Sequence, residues 1–90
     1  MSYQIVFTQD ALDDIERLKK SGNKQVLKKL VSLYIELQEN PRTGTGQIEL
    51  LKHYKEETWS RRINKEHRLV YRINDDTVEV LVISAYGHYT

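Results

Sequence analysis

The chain has 90 residues, the length of one domain with a single modest core, and we predict one domain over residues 1–90. Hydrophobic residues make up 39% and charged residues 30%, as in ordinary globular domains. Cysteine is absent, which excludes a disulfide framework, a thiolate metal site and a cysteine nucleophile. No apolar run approaches the roughly 20 residues of a membrane span, and the opening MSYQIVF is too short for a signal peptide. We therefore expect a cytoplasmic protein with no membrane partner.

The net charge is only +1, but it is unevenly distributed. Residues 1–40 carry six basic and six acidic groups, whereas residues 41–72 carry eight basic and four acidic groups, a net charge of +4. Residues 73–90 carry three acidic groups and no lysine or arginine. The basic stretch has the pattern expected of an anion-binding face. A solvated charged hairpin would show the same pattern, so charge alone leaves both interpretations open.

Two amphipathic helices are predicted after a short strand at Tyr3–Phe7. Thr8 suits the N-cap of the first helix, which runs from Gln9 to Lys20 and ends at Ser21-Gly22-Asn23. Asn40-Pro41 ends the second helix. Because the connection is short, the two helices should pack as an antiparallel hairpin. The predicted apolar face of the second helix consists of Val26, Leu27, Leu30, Val31, Tyr34 and Leu37.

The loop from Arg42 to Gln47 contains Gly44-Thr45-Gly46, which invites comparison with a phosphate-binding loop. No Gly-Lys-Ser/Thr follows, and neither does a helix, so the match is weak. A turn that needs a positive φ angle is the favoured use of these glycines.

Three strands are predicted in the second half of the chain, at Trp59–Asn64, His67–Asn74 and Thr77–Tyr86. Asp75-Asp76 suits a two-residue hairpin turn between the last two strands. The segment Val80–Ile83 is apolar on both faces, which is typical of a central strand. The hairpin turn would place Ile73 opposite Val78, Tyr71 opposite Val80, Leu69 opposite Val82, and Glu79 across from Arg72.

Burial also selects the register of the first hairpin. An odd-numbered loop centred on Lys65 puts Trp59 and Ile63 on the core face, with Leu69 and Tyr71 of the next strand. The same register places Arg62 directly across from Arg68 on the other face. Like charges side by side on neighbouring strands destabilise a sheet, so a bound anion is the natural reason to keep them.

The elements together predict an α+β fold. It consists of an N-terminal strand, an antiparallel helical hairpin that covers one sheet face, and an antiparallel β-meander of three or four strands.

The stretch from Glu49 to Arg72 is rich in groups suited to a phosphodiester. RNA carries its own nucleophile, the 2′-hydroxyl, so cleavage needs a base, an acid and cations around the phosphorane, but no metal or cofactor. Glu49 is the candidate base and His88 the candidate acid, since an imidazole with an ordinary pKa of about 6.5 can donate near neutrality. Arg68 and Arg62 offer planar forks for the phosphate oxygens. The full set is Glu49, Lys52, His53, Lys55, Arg61, Arg62, Lys65, Glu66, His67, Arg68 and Arg72.

Each of these residues has a simpler interpretation as well. Glu49 on a strand could be a solvated surface group, and His67, at a core-facing position, suits a structural histidine. His53 is either structural or a phosphate contact. His53, His67 and His88 could in principle form a three-histidine metal site, but no pair has a familiar ligand spacing, so we expect no metal.

Four motifs, LKH, WSRRI, EHRLVYRI and a late GHY, together resemble the YoeB/Txe family of bacterial toxins within the RelE superfamily. The resemblance covers nearly the whole chain and implies a RelE-like microbial ribonuclease fold. It further implies the toxin of a type II toxin–antitoxin system, which enters the A site of the 30S subunit and cuts the mRNA there by 2′-hydroxyl attack. A cognate antitoxin of the YefM/Axe type and a homodimer are the implied protein partners.

The resemblance also implies roles for individual residues. Glu49, two residues before the LKH triplet, matches the general base, and Arg68 of EHR matches the phosphate-stabilising arginine. His88 matches the general acid and Tyr89 the terminal tyrosine. Ile48 and Leu50 stand where the family often has proline, and Thr90 extends past the usual end. The predicted RNA-contacting residues are Lys52, His53, Arg61, Arg62 and Lys65.

Two other functions remain open at this point. The same basic face could serve a non-catalytic module that binds RNA or the ribosome and blocks translation. A ParE-like relative would instead poison a protein target such as DNA gyrase, although the presence of Glu49, Arg68 and His88 argues against that function.

Overall fold

A five-stranded β-sheet carries two helices on one face in this computed structural model, which describes residues 2–87. The strand order is β1-β5-β4-β3-β2, with β1 parallel to β5 and every other pair antiparallel. The predicted α+β fold is confirmed, and the meander has four strands. The elements are β1 (Gln4–Phe7), α1 (Gln9–Lys20), α2 (Lys24–Glu39), β2 (Glu49–Leu51), β3 (Thr58–Arg62), β4 (Arg68–Asn74) and β5 (Glu79–Ser84).

Side-chain caps explain where the helices begin. The Thr8 hydroxyl accepts a hydrogen bond from the N–H of Ala11, which confirms it as the N-cap of α1. The Asn23 side chain accepts from the N–H groups of Gln25 and Val26 and caps α2. Pro41 follows the last turn of α2, as predicted.

The predicted apolar face of α2 is only partly right. Val26 and Leu37 are buried, but so is Leu33, which was not predicted, while Val31 and Tyr34 are 61% and 41% exposed. Hydrophobic residues cover more than one stripe of this helix, and the sheet can cover only one of them. The buried stripe passes through Leu33, and the neighbouring stripe remains at the surface.

The register between β4 and β5 differs from the prediction by two residues. Ile73 lies opposite Val80 and Asn74 opposite Glu79, so the connection has four residues rather than two. The Asn74 side chain accepts hydrogen bonds from the N–H groups of Asp76 and Thr77 and closes a longer turn. Because the shift is even, the core face is preserved.

The shift also removes the predicted pair between Arg72 and Glu79. Arg72 lies opposite Leu81, and its Nε is 3.2 Å from a carboxylate oxygen of Glu56 in the β2–β3 connection.

The register between β3 and β4 is as predicted. Trp59 lies opposite Tyr71, and Arg62 lies opposite Arg68. The apolar strand β5 is an interior strand between β1 and β4, which confirms its predicted central position. Within residues 2–87, no helix is long and apolar enough to cross a membrane.

Candidate functional site

The predicted base and the predicted phosphate-binding arginine lie on the same face of the sheet, opposite the helices. Glu49 of β2 pairs with Ser60 of β3, and Arg62 of β3 pairs with Arg68 of β4. Side chains alternate between the two faces of a strand, so these four residues all belong to the face that does not carry α1 and α2. We refer to this face, defined by Glu49, Ser60, Arg62 and Arg68, as the open face.

Arg68 is held in place, whereas Glu49 is accessible. Nη1 of Arg68 donates a hydrogen bond to Oγ of Ser60 at 3.3 Å, and only 15% of its side chain is exposed. The same Nη1 lies 4.0 Å from Oε2 of Glu49, whose side chain is 64% exposed. This separation is too long for a hydrogen bond, so the two groups attract each other without being locked together. The carboxylate can therefore approach a ligand that the guanidinium also contacts.

Two arginines facing each other across neighbouring strands create a local excess of positive charge. Arg62 is half-buried and lies directly across from Arg68. Such a pair weakens the sheet unless an anion lies between or above the two groups. With the carboxylate of Glu49 close to Arg68, the open face offers one acceptor and two cationic donors.

Three other predicted RNA contacts are exposed in the connections beside these strands. Lys52 and His53 follow β2, and Lys65 is in the turn between β3 and β4. All three are accessible to a large partner.

Arg61 is a correction to the predicted RNA-contacting set, because its side chain is fully buried. Its guanidinium donates to the hydroxyl of Tyr71 at 2.9 Å, to the carboxylate of Glu36 at 3.1 Å, and to the backbone carbonyls of Asn40 and Thr43 at 2.7 and 2.6 Å. These bonds occupy it inside the protein, away from any RNA. Its parity with Trp59 and Ile63, both predicted to face the core, already indicated this placement.

Burial and hydrogen bonds set the charge states of the two side chains that contact Arg61. Partial burial raises the pKa of Glu36, but hydrogen bonds from Thr45 and the charge of Arg61 outweigh it, so the pKa is lowered overall. Burial raises the pKa of Tyr71. Glu36 is therefore held ionised and Tyr71 neutral, as an ion pair and a hydroxyl acceptor require.

The glycines of the loop before β2 have positive φ angles, as predicted. Gly44 has a φ of +123°, and a Cβ there would collide with the side chains of Glu36 and Arg61. Gly46 has a φ of +97°, and its carbonyl accepts from the N–H of Arg62. The loop is thus fixed from both sides before the chain enters β2 and reaches Glu49.

The histidines separate into different environments. His67 is largely buried, and its Nδ1 accepts a hydrogen bond from the N–H of Gly87 at 2.9 Å, which confirms a structural role. His53 is exposed in its loop. His88 and Tyr89, the predicted acid and terminal tyrosine, lie outside the described residues. Among residues 2–87, no three His, Asp or Glu side chains come together as ligands for a metal ion.

Ser60 is the one member of the open face that sequence reasoning missed. It is fully buried and holds Arg68 from the neighbouring strand. Its position two residues before Arg62 in β3 was the available signal, because residues two apart on a strand share a face.

Known proteins resemble the chain along almost its whole length. A family model described as the YoeB-like toxin of bacterial type II toxin–antitoxin systems matches residues 7–89. Toxin YoeB of Escherichia coli K12 is 34% identical over 86 residues, covering 96% of this chain and 99% of that protein.

Solved structures of YoeB toxins also resemble the chain over nearly its whole length. A YoeB dimer from Staphylococcus aureus matches with a TM-score of 0.83 at 32% identity, covering 99% of this chain and 100% of that one. A YoeB–YefM complex from Staphylococcus aureus matches with a TM-score of 0.78 at 33% identity, with the same coverage. An archaeal RelE–RelB complex from Pyrococcus horikoshii OT3 shares the fold, with a TM-score of 0.78 at 12% identity over 97% of this chain and 96% of that one, so the predicted RelE-like fold is confirmed. The chain belongs to the family of YoeB-like toxins of bacterial type II toxin–antitoxin systems.

Proposed function

We propose that this toxin is a ribosome-dependent, metal-independent endoribonuclease that cuts mRNA in the ribosomal A site and so inhibits translation. The observation that carries the proposal is the pairing of an accessible carboxylate with a fixed guanidinium on one sheet face, with Oε2 of Glu49 4.0 Å from Nη1 of Arg68. A base and a cation at that separation can address the 2′-hydroxyl and the phosphate of a single nucleotide.

In the proposed reaction, Glu49 takes the proton of the 2′-hydroxyl as that oxygen attacks the adjacent phosphorus. The bond from phosphorus to the 5′-oxygen breaks, and His88 donates a proton to the departing oxygen. The products are a 2′,3′-cyclic phosphate and a 5′-hydroxyl, so no electrons are exchanged and no cofactor is needed. Tyr89 completes the set beside His88.

Arg68 and Arg62 stabilise the negative charge that develops on the phosphorane. Arg68 is suited to this task because Ser60 and the surrounding sheet already hold it, so little reorganisation is required when the charge appears. Arg62 adds a second planar donor from the neighbouring strand.

Lys52, His53 and Lys65 supply contacts to the RNA and to the ribosome around the open face. Contacts of this kind act mainly through charge and make binding sensitive to salt. They should raise the affinity for the programmed ribosome without entering the chemical step.

Two protein partners belong to the proposal. Solved relatives include a YoeB–YefM complex and a YoeB dimer. We infer a cognate antitoxin of the YefM/Axe type, with an acidic or amphipathic segment that covers the basic surface, and a homodimer of the toxin.

The deciding experiment compares Glu49→Gln and His88→Gln with the unmodified chain by mapping mRNA ends on programmed ribosomes. We expect each substitution to lower cleavage by roughly a hundredfold or more, the usual range for losing a general acid or base. Glu56→Gln is the matched control, because Glu56 is 67% exposed and also lies beside an arginine, at 3.2 Å from Arg72. It should cleave at the normal rate.

Two further measurements test the chemistry itself. Cleavage should persist in EDTA, and a 2′-deoxy substitution at the cut site should abolish the product. If both site variants still arrest translation at full potency while the mRNA remains intact, the protein blocks the ribosome instead of cutting, and the nuclease proposal is wrong.

A further inference from the structure

Beyond the end of β5 at Ser84, the last described residues are hydrogen-bonded to the β3–β4 hairpin, which carries Arg68. The N–H of Gly87 donates to Nδ1 of His67 at 2.9 Å, and the carbonyl of Gly87 accepts from the N–H of Arg68 at 3.0 Å. Both polar groups of Gly87 are therefore held by two consecutive residues of the β3–β4 hairpin.

Helix α1 holds the same segment from another side. The N–H of Ala85 donates to the carboxylate of Asp14 at 3.0 Å, and the guanidinium carbon of Arg17 lies 4.5 Å from the centre of the Tyr86 ring. That ring also contacts His67, with 4.4 Å between ring centres. Residues 85–87 are thus attached to both α1 and the hairpin.

A β-bulge in β5 determines which side chains of this segment face the core. The register between β4 and β5 shifts between Val70 and Tyr71, so one extra residue enters β5. As a result Val82 and Ala85, which are three positions apart, are both buried in the core. After the bulge, the side chains of Ser84 and Ala85 face the side of the sheet opposite to the one that regular alternation would give them.

His67 is itself fixed before it binds Gly87. The backbone N–H of His67 donates a hydrogen bond to the side-chain oxygen of Asn64 at 2.8 Å, and the backbone carbonyl of His67 accepts one from the N–H of Ile63 at 2.9 Å. Since Nδ1 accepts a hydrogen bond, the imidazole carries its proton on Nε2, which lies 3.8 Å from the carboxylate of Glu66. The side chain is only 11% exposed.

We propose that His67 is a positioning residue that anchors the chain immediately before His88, by accepting from Gly87 and packing against Tyr86. The inference rests on the proposed function, in which His88 is the acid. Gly87 directly precedes His88 in the sequence, so the anchor fixes the residue to which the acid is covalently joined. His67 does not touch the reacting atoms in this scheme and acts only through the backbone of the tail.

The anchor can be tested in the unmodified chain, without any activity assay. A hydrogen bond from Gly87 N to His67 Nδ1 transmits a scalar coupling between the two ¹⁵N nuclei, which NMR detects directly. We expect that coupling, and we expect the Gly87 amide to exchange with solvent more slowly than an unstructured glycine. If both ¹⁵N signals are observed and no coupling connects them, the proposal is overturned.

Two substitutions then connect the anchor to cleavage. His67→Phe keeps an aromatic ring against Tyr86 but removes the acceptor, whereas His67→Asn provides an amide oxygen close to the position of Nδ1. We expect His67→Phe to lower the single-turnover cleavage rate at saturating toxin by roughly tenfold to a hundredfold, the effect of a slightly misplaced catalytic group. The toxin concentration at half-saturation should not change, and His67→Asn should stay within about threefold of the normal rate.

The outcomes separate the anchor from the nuclease. If His67→Phe cleaves at the normal rate, the positioning role is refuted. It is also refuted if His67→Phe and His67→Asn are equally slow while the Gly87 amide of both variants exchanges as it does in the unmodified chain. If the unmodified chain does not cleave mRNA at all, the proposed function fails, and the coupling and Gly87 exchange still decide whether the anchor exists. A His67→Phe chain that does not fold leaves the decision to the coupling in the unmodified chain.

Discussion

Replacing Arg61 by methionine is the sharpest test of how this toxin holds its shape. The substitution preserves much of the volume of the side chain but removes the donors to Glu36, Tyr71 and the carbonyls of Asn40 and Thr43. The carboxylate of Glu36, whose side chain is only 25% exposed, would lose its buried cation, and the carbonyls of Asn40 and Thr43 would lose their hydrogen bonds from the guanidinium. Breaking a buried ion pair from one side destabilises a protein by about 3–5 kcal/mol.

That loss is large for a small domain, whose total stability is about 5–15 kcal/mol. We expect the midpoint of thermal unfolding to fall by roughly 12 °C or more, since 1 kcal/mol corresponds to about 4–8 °C at this size. The fluorescence of the single tryptophan, Trp59, follows both thermal unfolding, which gives the midpoint, and urea unfolding, which gives the free energy, because its ring packs against the core. Arg61→Lys should recover part of the loss, since one ammonium group cannot reach all the acceptors.

Arg62→Met is the matched control for this experiment. Arg62 is the next residue in the chain but lies on the open face, across from Arg68, so removing its charge relieves a repulsion. Its effect on the free energy of unfolding should stay within about 1 kcal/mol. If Arg61→Met proves no more destabilising than Arg62→Met, the assignment of Arg61 to the interior is wrong.

Three further predictions concern other parts of the chain. Arg42 donates two hydrogen bonds to Glu57, and these bonds lower the pKa of Glu57. The stability that they provide is therefore present above the usual carboxyl pKa of about 4.3 and is lost as the pH falls below it. The difference in melting temperature between the unmodified chain and Arg42→Met should therefore shrink between pH 6 and about pH 3, and a constant difference would refute this linkage. Leu33→Ala should lower the free energy of urea unfolding by about 2–5 kcal/mol, whereas Val31→Ala, on the same helix but exposed, should change it by less than about 0.5 kcal/mol. Gly44→Ala should destabilise the chain by more than about 1 kcal/mol in the same assay, because the backbone there has a positive φ and the new methyl group would displace side chains; a neutral effect would show that the loop relaxes freely.

Sequence reasoning succeeded where one physical rule dominated. In β3 and β4 the alternation of Trp59 and Ile63 with Leu69 and Tyr71 favoured an odd-numbered loop, because a two-residue loop would place Trp59 opposite Arg72. It failed between β4 and β5, where both registers bury the same face and the turn decides between them. There the Asn74 side chain lengthens the turn by bonding to the backbone, an effect that the Asp75-Asp76 pair concealed.

The same distinction applies to α2 and to the open face. The helix is apolar around much of its circumference, so its sequence could not show that Leu33, and not Val31, faces the sheet. On the open face, the residues with obvious chemistry were recognised from the sequence, and the family resemblance assigned their roles. Ser60 was not recognised: its position two residues before Arg62 placed it on that face, but only its contact with Arg68 shows what it does there.

The two adjacent arginines of β3 show how one short motif serves both stability and the site. Because strand residues alternate, Arg61 points into the protein and organises the loop that leads to β2, while Arg62 points to the open face beside Arg68. Loss of either residue would be expected to reduce toxicity, but for different reasons, so a toxicity assay alone cannot distinguish them. Only stability measured alongside cleavage can: Arg61 variants should lose both together, whereas Arg62 variants should lose cleavage and remain folded. The open face therefore depends on a residue that never reaches it, since the loop held by Arg61 leads directly to the strand that carries Glu49.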